Sequence, residues 1–261
     1  MLAIERRRAL AALLEGNPVL TVEDLARRFD VSAQTVRRDF QYLEGRGLVT
    51  RTYGGAVSRS GDPLRTLSRE GAFTIRETEQ AAQKGVIARR ALDFVVPGST
   101  VIFDASTTVL GLARALPQDI ELTAIVNALP VATELSRRPN VVTTAIGGTI
   151  CQTSLSCTGP IAEAALRRLF ADTAFISARG LSLQRGLTEA NPAEAALKEI
   201  MMSNATRVVA LVDSSKLGQT ALSFFAPVGR VDALVTDDEA DPAMLARLRE
   251  TGLDVHVAAT T

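Results

Sequence analysis

The sequence is poor in the residues that most metal centres use. It has two cysteines, Cys151 and Cys157, and one histidine, His256. Two cysteines cannot form a disulfide framework, and their spacing matches no zinc motif. A single histidine cannot form a metal cluster, and its isolation argues against histidine-based catalysis. We therefore expect no metal site and no cofactor.

Long hydrophobic runs are also missing. No apolar run approaches the roughly 18 residues that span a bilayer. The N-terminus becomes charged at Glu5, followed by three arginines, and lacks the apolar core of a signal peptide. At 261 residues, 46% of them hydrophobic, the chain is long enough for two domains. We expect a cytoplasmic protein that does not associate with membranes.

Lysine is the third scarce residue: the chain has Lys84, Lys198 and Lys216, against 26 arginines. Because arginine supplies the general positive charge, these positions are candidates for a compact ammonium group. The net charge is zero, but residues 1–59 hold ten arginines against seven carboxylates. This distribution is typical of a basic DNA-facing module on a mildly acidic body.

The N-terminal pattern predicts three short helices and a hairpin. The helices are expected over residues 4–15, 21–29 and 32–44, and the hairpin over 48–57, with its turn at Gly54 and Gly55. Three helices and a hairpin within 60 residues indicate a winged helix-turn-helix. We assign residues 1–57 to this domain.

The third predicted helix has the composition of a helix that reads DNA. Val36, Phe40 and Leu43 share an apolar face, which leaves polar side chains outside. Glutamine can pair with adenine and arginine with guanine in the major groove, while hydroxyls and helix amides suit a phosphate. The alternative is an amphipathic helix with a solvated basic face. The candidate DNA contacts are Ser32, Gln34, Thr35, Arg37 and Arg38, with Arg51 and Tyr53 on the wing.

Alternating strands and helices are predicted to follow a charged linker over residues 58–78 and a helix over 79–94. Such alternation predicts a doubly wound, mainly parallel α/β domain over residues 79–261. The predicted strands are 100–104, 122–126, 141–146, 172–177, 207–212, 232–236 and 254–258. The predicted helices are 108–116, 129–137, 160–170, 192–204 and 242–251.

The loop after the first of these strands predicts an anion site. Asp104 is followed by Ser106, Thr107 and Thr108, where a helix begins. Hydroxyls and amides at a helix N-terminus bind anions, and ligands of α/β sheets bind at the carboxyl ends of strands. One hydroxyl would suffice for simple capping, so three consecutive ones favour a phosphate cradle.

Later loops add further candidate ligand residues, each with a structural alternative. Asn127 can bind a ligand or turn the chain, and Arg179 can clamp a phosphate or lie on the surface. Glu194 stands where a capping box places its acid, so its two interpretations are evenly balanced. Lys198 and Lys216 both fall at predicted site edges, which favours an anionic ligand.

The third predicted helix resembles the DNA-binding signature of the DeoR/GlpR family of regulators. The residues that match this signature are Ser32, Thr35, Val36 and Arg37-Arg38-Asp39-Phe40. Asp39 is best explained as a residue that orients an arginine or stabilises the helix, since it would repel phosphate. The C-terminal region resembles the family's sensor domain, which is similar in fold to ribose-5-phosphate isomerase A. The resemblance implies a double-stranded DNA operator and a phosphorylated sugar as effector. Because helix-turn-helix proteins commonly bind palindromes, we expect a homodimer or homotetramer.

One departure from the isomerases bears on catalysis. Their Asp-Gly-Ala-Asp loop is replaced by Ser177-Ala178-Arg179-Gly180, so Glu194, which matches the isomerase base, stands without supporting acids. We therefore expect no catalytic residues. The leading hypothesis is a repressor of a carbohydrate-catabolic operon that its effector releases from DNA. The alternatives are an isomerase-like enzyme with a DNA-binding appendage, and an activator or nucleoid-type DNA binder without small-molecule control.

Overall fold

The computed structural model describes residues 6, 19–45, 49–52, 55–58 and 71–260. The chain forms two compact units, Met1–Ala72 and Phe73–Thr261. The predicted first helix, apart from Arg6, lies outside the described residues, as do Tyr53, Gly54 and most of the predicted linker.

Among its described residues, the first unit has two helices of eight or more residues and a small antiparallel sheet. Its elements are β1 (Val19–Thr21), α1 (Val22–Phe29), α2 (Ala33–Gly45), β2 (Val49–Thr52) and β3 (Gly55–Ser58). The strand order is β1-β3-β2, so the predicted hairpin forms and a third strand joins its free side. With three residues, β1 is too short to leave a periodic signal. Val22, Leu25, Val36 and Phe40 form the core beneath α1 and α2.

Asp39 and Arg6 form a buried ion pair in this unit. The Nε atom of Arg6 donates to Oδ2 of Asp39 at 2.6 Å, and Asp39 is 1% exposed. The Asp39 carboxylate of α2 therefore lies inside the unit and binds an arginine. This agrees with its interpretation as an arginine-orienting residue.

A seven-stranded, entirely parallel sheet forms the centre of the second unit, with strand order β15-β14-β12-β9-β4-β5-β6. The strands of this sheet are β4 (Thr100–Phe103), β5 (Leu122–Val126), β6 (Val141–Ala145), β9 (Ala171–Ile176), β12 (Ala205–Leu211), β14 (Ala233–Asp237) and β15 (Asp254–Ala258). Each predicted strand is present within two residues of its predicted ends.

Helices cover both faces of this sheet. They are α3 (Gly71–Thr78), α4 (Ala81–Ala91), α5 (Thr107–Ala115), α6 (Leu129–Leu135), α7 (Pro160–Leu166), α8 (Pro192–Ser203) and α9 (Pro242–Glu250). Side chains of α4, α5 and α6 pack on one face of the sheet, and side chains of α7, α8 and α9 on the other. This confirms a mainly parallel α/β fold.

The predicted helix over residues 79–94 is wrong in its extent. Two helices, α3 and α4, meet at Gln80, whose left-handed backbone (φ 51°) breaks the helical path, and a short 3-10 helix follows at Leu92–Phe94. Residues 71–78, assigned to the linker, are helical, and Phe73 is buried in the core of the second unit.

Antiparallel strands that the sequence pattern did not reveal stand beside the main sheet. They are β7 (Thr149–Cys151) and β8 (Ser156–Thr158), which form a hairpin, and β10 (Gly180–Ser182), β11 (Gly186–Glu189) and β13 (Ser223–Ala226), which form a three-stranded sheet. Gly186 shows how closely the latter packs: its φ is +63°, and a Cβ atom there would lie 2.2 Å from the carbonyl oxygen of Ala226.

The order of strands reverses between β4 and β9. Strands β5 and β6 extend the sheet to one side of β4, whereas β9, β12, β14 and β15 extend it to the other. The connections leaving β4 and β9 therefore diverge and open a crevice at their carboxyl ends, where α/β sheets bind ligands. Asp104 and Ser177 follow these two strands directly.

No helix among the described residues is both long and apolar enough to cross a bilayer.

Candidate ligand-binding cleft and DNA-contacting helix

Helix α2 presents its polar residues to solvent. The Oγ atom of Ser32 accepts a hydrogen bond from the Thr35 amide at 3.2 Å, which caps the helix. Gln34, Arg37 and Arg38 are exposed, whereas Val36 and Phe40 are buried. The structure thus separates an outer polar face from an inner apolar face. Among the wing candidates, Arg51 belongs to β2 and Tyr53 lies outside the described residues.

A small cleft, open to solvent and with a cavity volume of about 50 Å³, lies at the sheet reversal between β4 and β9. It brings together eight of the nine predicted effector residues: Asp104, Ser106, Thr107, Asn127, Arg179, Glu194, Lys198 and Lys216. Thr108, the ninth, is not among the residues that line it. Its side chain is fully buried, because its helical position turns it into the core. Thr108 is therefore not placed at the cleft surface, and its assignment as a ligand residue stays a prediction.

Asp104 positions other groups. Its Oδ1 accepts from the Ser106 amide at 2.9 Å, and its Oδ2 accepts from the Ser177 amide at 2.8 Å. The carboxylate thereby ties the end of β4 to the end of β9. Ser106 caps α5 by accepting from the Val109 amide. The first turn of α5, with Thr107 at its start, faces the cleft and has the amide geometry that favours an anion.

Lys198 is held in a buried network beneath the cleft. Its Nζ donates to Oε2 of Glu189 at 2.7 Å and to the Ser177 carbonyl at 2.6 Å, and lies 3.1 Å from Oδ2 of Asp104. Burial acts to lower the pKa of Lys198, but the Asp104 and Glu189 carboxylates outweigh it and raise the pKa above its ordinary value. Lys198 is thus a charged structural anchor whose charge two carboxylates already balance.

Four other cations surround the cleft: Arg76, Lys84, Arg179 and Lys216. Burial, followed by repulsion from Arg179, lowers the pKa of Arg76. Burial, followed by repulsion from Lys216, lowers the pKa of Lys84 to about 8. The cleft also has four lining carboxylates, so its cations offer local pairing groups for an anion beside acceptors for donors.

These four cations are tethered by their neighbours. Lys84 donates to the carbonyls of Arg76 and Glu79, and Nη2 of Arg76 donates to the Thr153 carbonyl at 2.6 Å. Lys216 lies 2.9 Å from Asp213 and lowers the pKa of that carboxyl group, which burial alone would raise. Arg179 lies 3.6 Å from Glu189. The cations are therefore held at the cleft before any ligand arrives.

Hydrogen-bond acceptors line another part of the cleft. The Glu194 carboxylate accepts from the hydroxyls of Ser154 and Ser156. Asn127 donates from Nδ2 to the carbonyl of Cys157 at 3.3 Å. The cleft therefore offers positive charge together with groups that bind donors, which suits a ligand that carries both an anion and hydroxyls.

Eight lining residues lie outside the predicted effector set, and four of them are charged: Arg76, Glu79, Lys84 and Glu189. Lys84 carried a usable signal, because it is one of three lysines. Glu189 lies on β11, a strand that the pattern did not reveal. Arg76 fell in the segment assigned to the linker.

Two family models match the chain. A DeoR-like helix-turn-helix domain matches residues 6–61, and a DeoR C terminal sensor domain matches residues 79–238. The chain belongs to the DeoR family of transcriptional regulators. It is a DNA-binding regulator of transcription and not an enzyme.

Relatives of this DeoR-family chain match it over most of its length. The HTH-type transcriptional regulator GlpR of Haloferax volcanii is 34% identical over 255 residues, covering 98% of this chain and 98% of its own. The transcriptional repressor AccR of Agrobacterium fabrum is 32% identical over 234 residues, covering 89% of each chain. Ribose 5 phosphate isomerase A from Neisseria gonorrhoeae is a structural neighbour at a TM-score of 0.39 and 12% identity, covering 58% of this chain and 55% of its own. At that similarity the isomerase says nothing about the chemistry of the cleft.

Proposed function

We propose that this DeoR-family regulator represses a carbohydrate-catabolic operon and leaves its operator when a phosphorylated sugar or related metabolite binds the cleft. It acts in the cytoplasm, where chromosomal DNA is, as a homodimer or homotetramer matched to a palindromic operator. Its working division is a DNA-binding domain at 1–57, a linker that begins at residue 58, and a sensor domain that includes α3 and extends to residue 261.

DNA binding is assigned to α2 and the wing. The exposed Gln34, Arg37 and Arg38 supply base contacts, and Ser32, Thr35, Arg51 and Tyr53 supply contacts to the backbone. The buried Val36 and Phe40 support this, because they fix which face of the helix points outward. Asp39 takes no part in these contacts, since it is buried with Arg6.

One observation carries the ligand assignment: four cations, two of them with lowered pKa values, stand around the N-terminal turn of α5 at the sheet reversal. A phosphate would relieve their mutual repulsion and accept hydrogen bonds from the Thr107 end of the helix. Arg179 is the candidate residue for binding the phosphate through two hydrogen bonds. Lys216, Asn127 and Glu194 supply the remaining contacts to the effector. Asp104 and Lys198 hold the loops in place beneath the ligand.

The test is a thermal-shift panel of phosphorylated sugars and polyols with their unphosphorylated parents, followed by DNA release from the promoter upstream of the protein's own gene. A phosphorylated compound is expected to raise the melting temperature and to weaken DNA binding, while its parent does neither. Binding to that promoter that no phosphorylated compound weakens would contradict the proposal.

A matched pair of arginines sharpens this test. Arg179→Met removes a cleft cation and is expected to weaken the effector about tenfold or more. Arg185→Met removes an exposed arginine from the neighbouring hairpin, outside the cleft, and is expected to leave effector binding unchanged. Equal effects of the two substitutions would show that general positive charge, and not the cleft, attracts the ligand.

A further inference from the structure

Two residues that line the cleft each have a buried side-chain oxygen without a hydrogen-bond partner among the described residues: Oδ1 of Asn127 and Oγ of Ser177. Asn127 is 5% exposed and Ser177 is 2% exposed. An unsatisfied buried polar atom destabilises the folded state, so such atoms are rare and need an explanation. At a ligand site the explanation is a partner group that the ligand brings.

The orientation of the Asn127 amide is set by its neighbour. The Cys157 carbonyl can only accept, so the atom facing it must be the NH₂ group, which lies 3.3 Å away. The Cys157 amide in turn donates to the Asn127 carbonyl at 2.7 Å. These two bonds fix Asn127 on β8 and leave its Oδ1 as a pure acceptor.

Ser177 is fixed by its main chain alone. Its amide donates to Oδ2 of Asp104 at 2.8 Å, and its carbonyl accepts from Lys198 at 2.6 Å. Neither bond uses the hydroxyl. The side chain is therefore held at a constant position without a structural duty of its own.

A phosphate group cannot satisfy Asn127. A phosphate dianion has only acceptors, and two acceptors facing each other repel. A hydroxyl group can donate to Oδ1 of Asn127 and can donate to, or accept from, the hydroxyl of Ser177. Asn127 follows β5 and Ser177 follows β9, with β4 between them. Since neighbouring strands lie about 4.8 Å apart, the two residues start about 10 Å apart and contact different parts of a ligand.

We propose that Asn127 and Ser177 bind hydroxyl groups on the carbon chain of the phosphorylated effector and select polyhydroxylated phosphates over simple alkyl phosphates. The inference rests on the proposed function, because it assumes that the cationic groups bind the phosphate. It identifies two specificity-determining residues and the chemical group of the effector that each one recognises.

The experiment compares phosphates of equal chain length with and without hydroxyls, using the full chain. Polyol and sugar phosphates of three to six carbons are titrated beside n-propyl, n-butyl, n-pentyl and n-hexyl phosphate. The best polyhydroxylated compound is expected to bind at least tenfold more tightly than the alkyl phosphate of its length. One lost hydrogen bond accounts for about that factor.

Two substitutions assign this preference to the residues. Ser177→Ala keeps both main-chain bonds, and Asn127→Leu keeps the side-chain size but loses the acceptor. Each is expected to weaken the polyhydroxylated compound about tenfold and to leave the alkyl phosphate unchanged. Thr236→Val is the control, because Thr236 is fully buried with an equally unpartnered hydroxyl, yet does not line the cleft. It should change neither affinity.

The outcomes separate the two proposals. Alkyl phosphates that bind as tightly as polyol phosphates would overturn the hydroxyl inference and leave the phosphate-responsive regulator standing. A loss of both ligand series on Ser177→Ala would also overturn it, as would no loss of either. If neither series binds the wild-type protein and none releases DNA, the proposed function fails and the inference fails with it. Ser177→Ala decides the matter even if Asn127→Leu does not fold.

Discussion

The ammonium group of Lys198 lies 2.7 Å from Glu189 Oε2 and 3.1 Å from Asp104 Oδ2, and all three side chains are less than a tenth exposed. The lysine balances two carboxylates that approach it from β4 and β11. Asp104 also holds the start of α5 and the end of β9 through backbone amides. The ammonium therefore fixes the relative positions of three loops that line the cleft.

Lys198→Met is expected to lower the free energy of unfolding at pH 7 by about 3–5 kcal/mol, because it leaves two carboxylates buried without their cation. Denaturant unfolding measures this loss. The deficit should shrink as the pH falls, because without Lys198 burial raises the pKa of the Glu189 carboxyl group, which then takes up a proton. Arg114→Met, which breaks the more exposed pair with Glu77, is the control and should cost no more than about 1 kcal/mol. Similar costs for the two would contradict the assigned role of Lys198.

Effector binding is expected to weaken above pH 8 because of Lys84. Burial and the nearby Lys216 lower its pKa to about 8, so the free protein loses this cation as the pH rises through that value. A bound phosphate, already a dianion at pH 7 because its second pKa is about 6, stabilises the ammonium and raises the pKa of Lys84. Affinity should be flat from pH 7 to 8 and then fall by up to tenfold per pH unit.

Calorimetric titration in buffers of different ionisation enthalpy measures the accompanying proton uptake. We expect uptake to appear near pH 8 and to approach one proton above it. Lys84→Met should bind more weakly with no such uptake. A wild-type affinity that stays constant to pH 9.5 would remove Lys84 from the ligand site.

Charge reversal on α2 is expected to abolish operator binding. Arg37→Glu and Arg38→Glu each replace an exposed cation by an anion that repels phosphate, and should weaken operator affinity by about 100-fold or more. Effector binding should be unchanged. Arg137→Glu makes the same charge change on an exposed residue of the second unit and should have little effect. Gel-shift titrations at one fixed salt concentration compare the three variants.

The Arg6–Asp39 pair is expected to stabilise the first unit. Asp39→Asn removes the charge that faces a buried guanidinium and should lower the free energy of unfolding of this unit by about 3 kcal/mol. The exposed Asp30, whose left-handed backbone asparagine also tolerates, is the control: Asp30→Asn should be nearly neutral. An Asp39→Asn protein of full stability that no longer binds DNA would show instead that Asp39 acts at the DNA surface.

The main sheet could be predicted from the sequence because each of its strands has two or more β-branched residues and lies in a pattern that alternates with helices. The order of the strands could not be predicted, because the sequences of β4 and β9 do not indicate which strands lie beside them. The short strands β7, β8, β10 and β11 have three or four residues each, too few to show alternation. Gln80 also escaped prediction, since an isolated left-handed glutamine has no local signature.

For the cleft, the hydroxyl loop after β4 indicated the location but not the role of each residue. An acidic residue that follows a strand can contact a ligand or can hold neighbouring loops in place. Only the hydrogen-bond partners of Asp104 show that it holds the loops. The roles of Lys198 and Glu189 depend on strands distant in sequence. Lys84 is the opposite case, because the scarcity of lysine singled it out as a candidate although it belongs to no sequence motif.

Ser177 divides its work between main chain and side chain. The main chain joins β9 to Asp104 and Lys198, so another small residue that accepts the same backbone path can replace Ser177 without disturbing these contacts. Exchange of this one side chain could thus redirect the regulator from one metabolite to another at little cost in folding. The position is accordingly a practical starting point for building sensors with altered response.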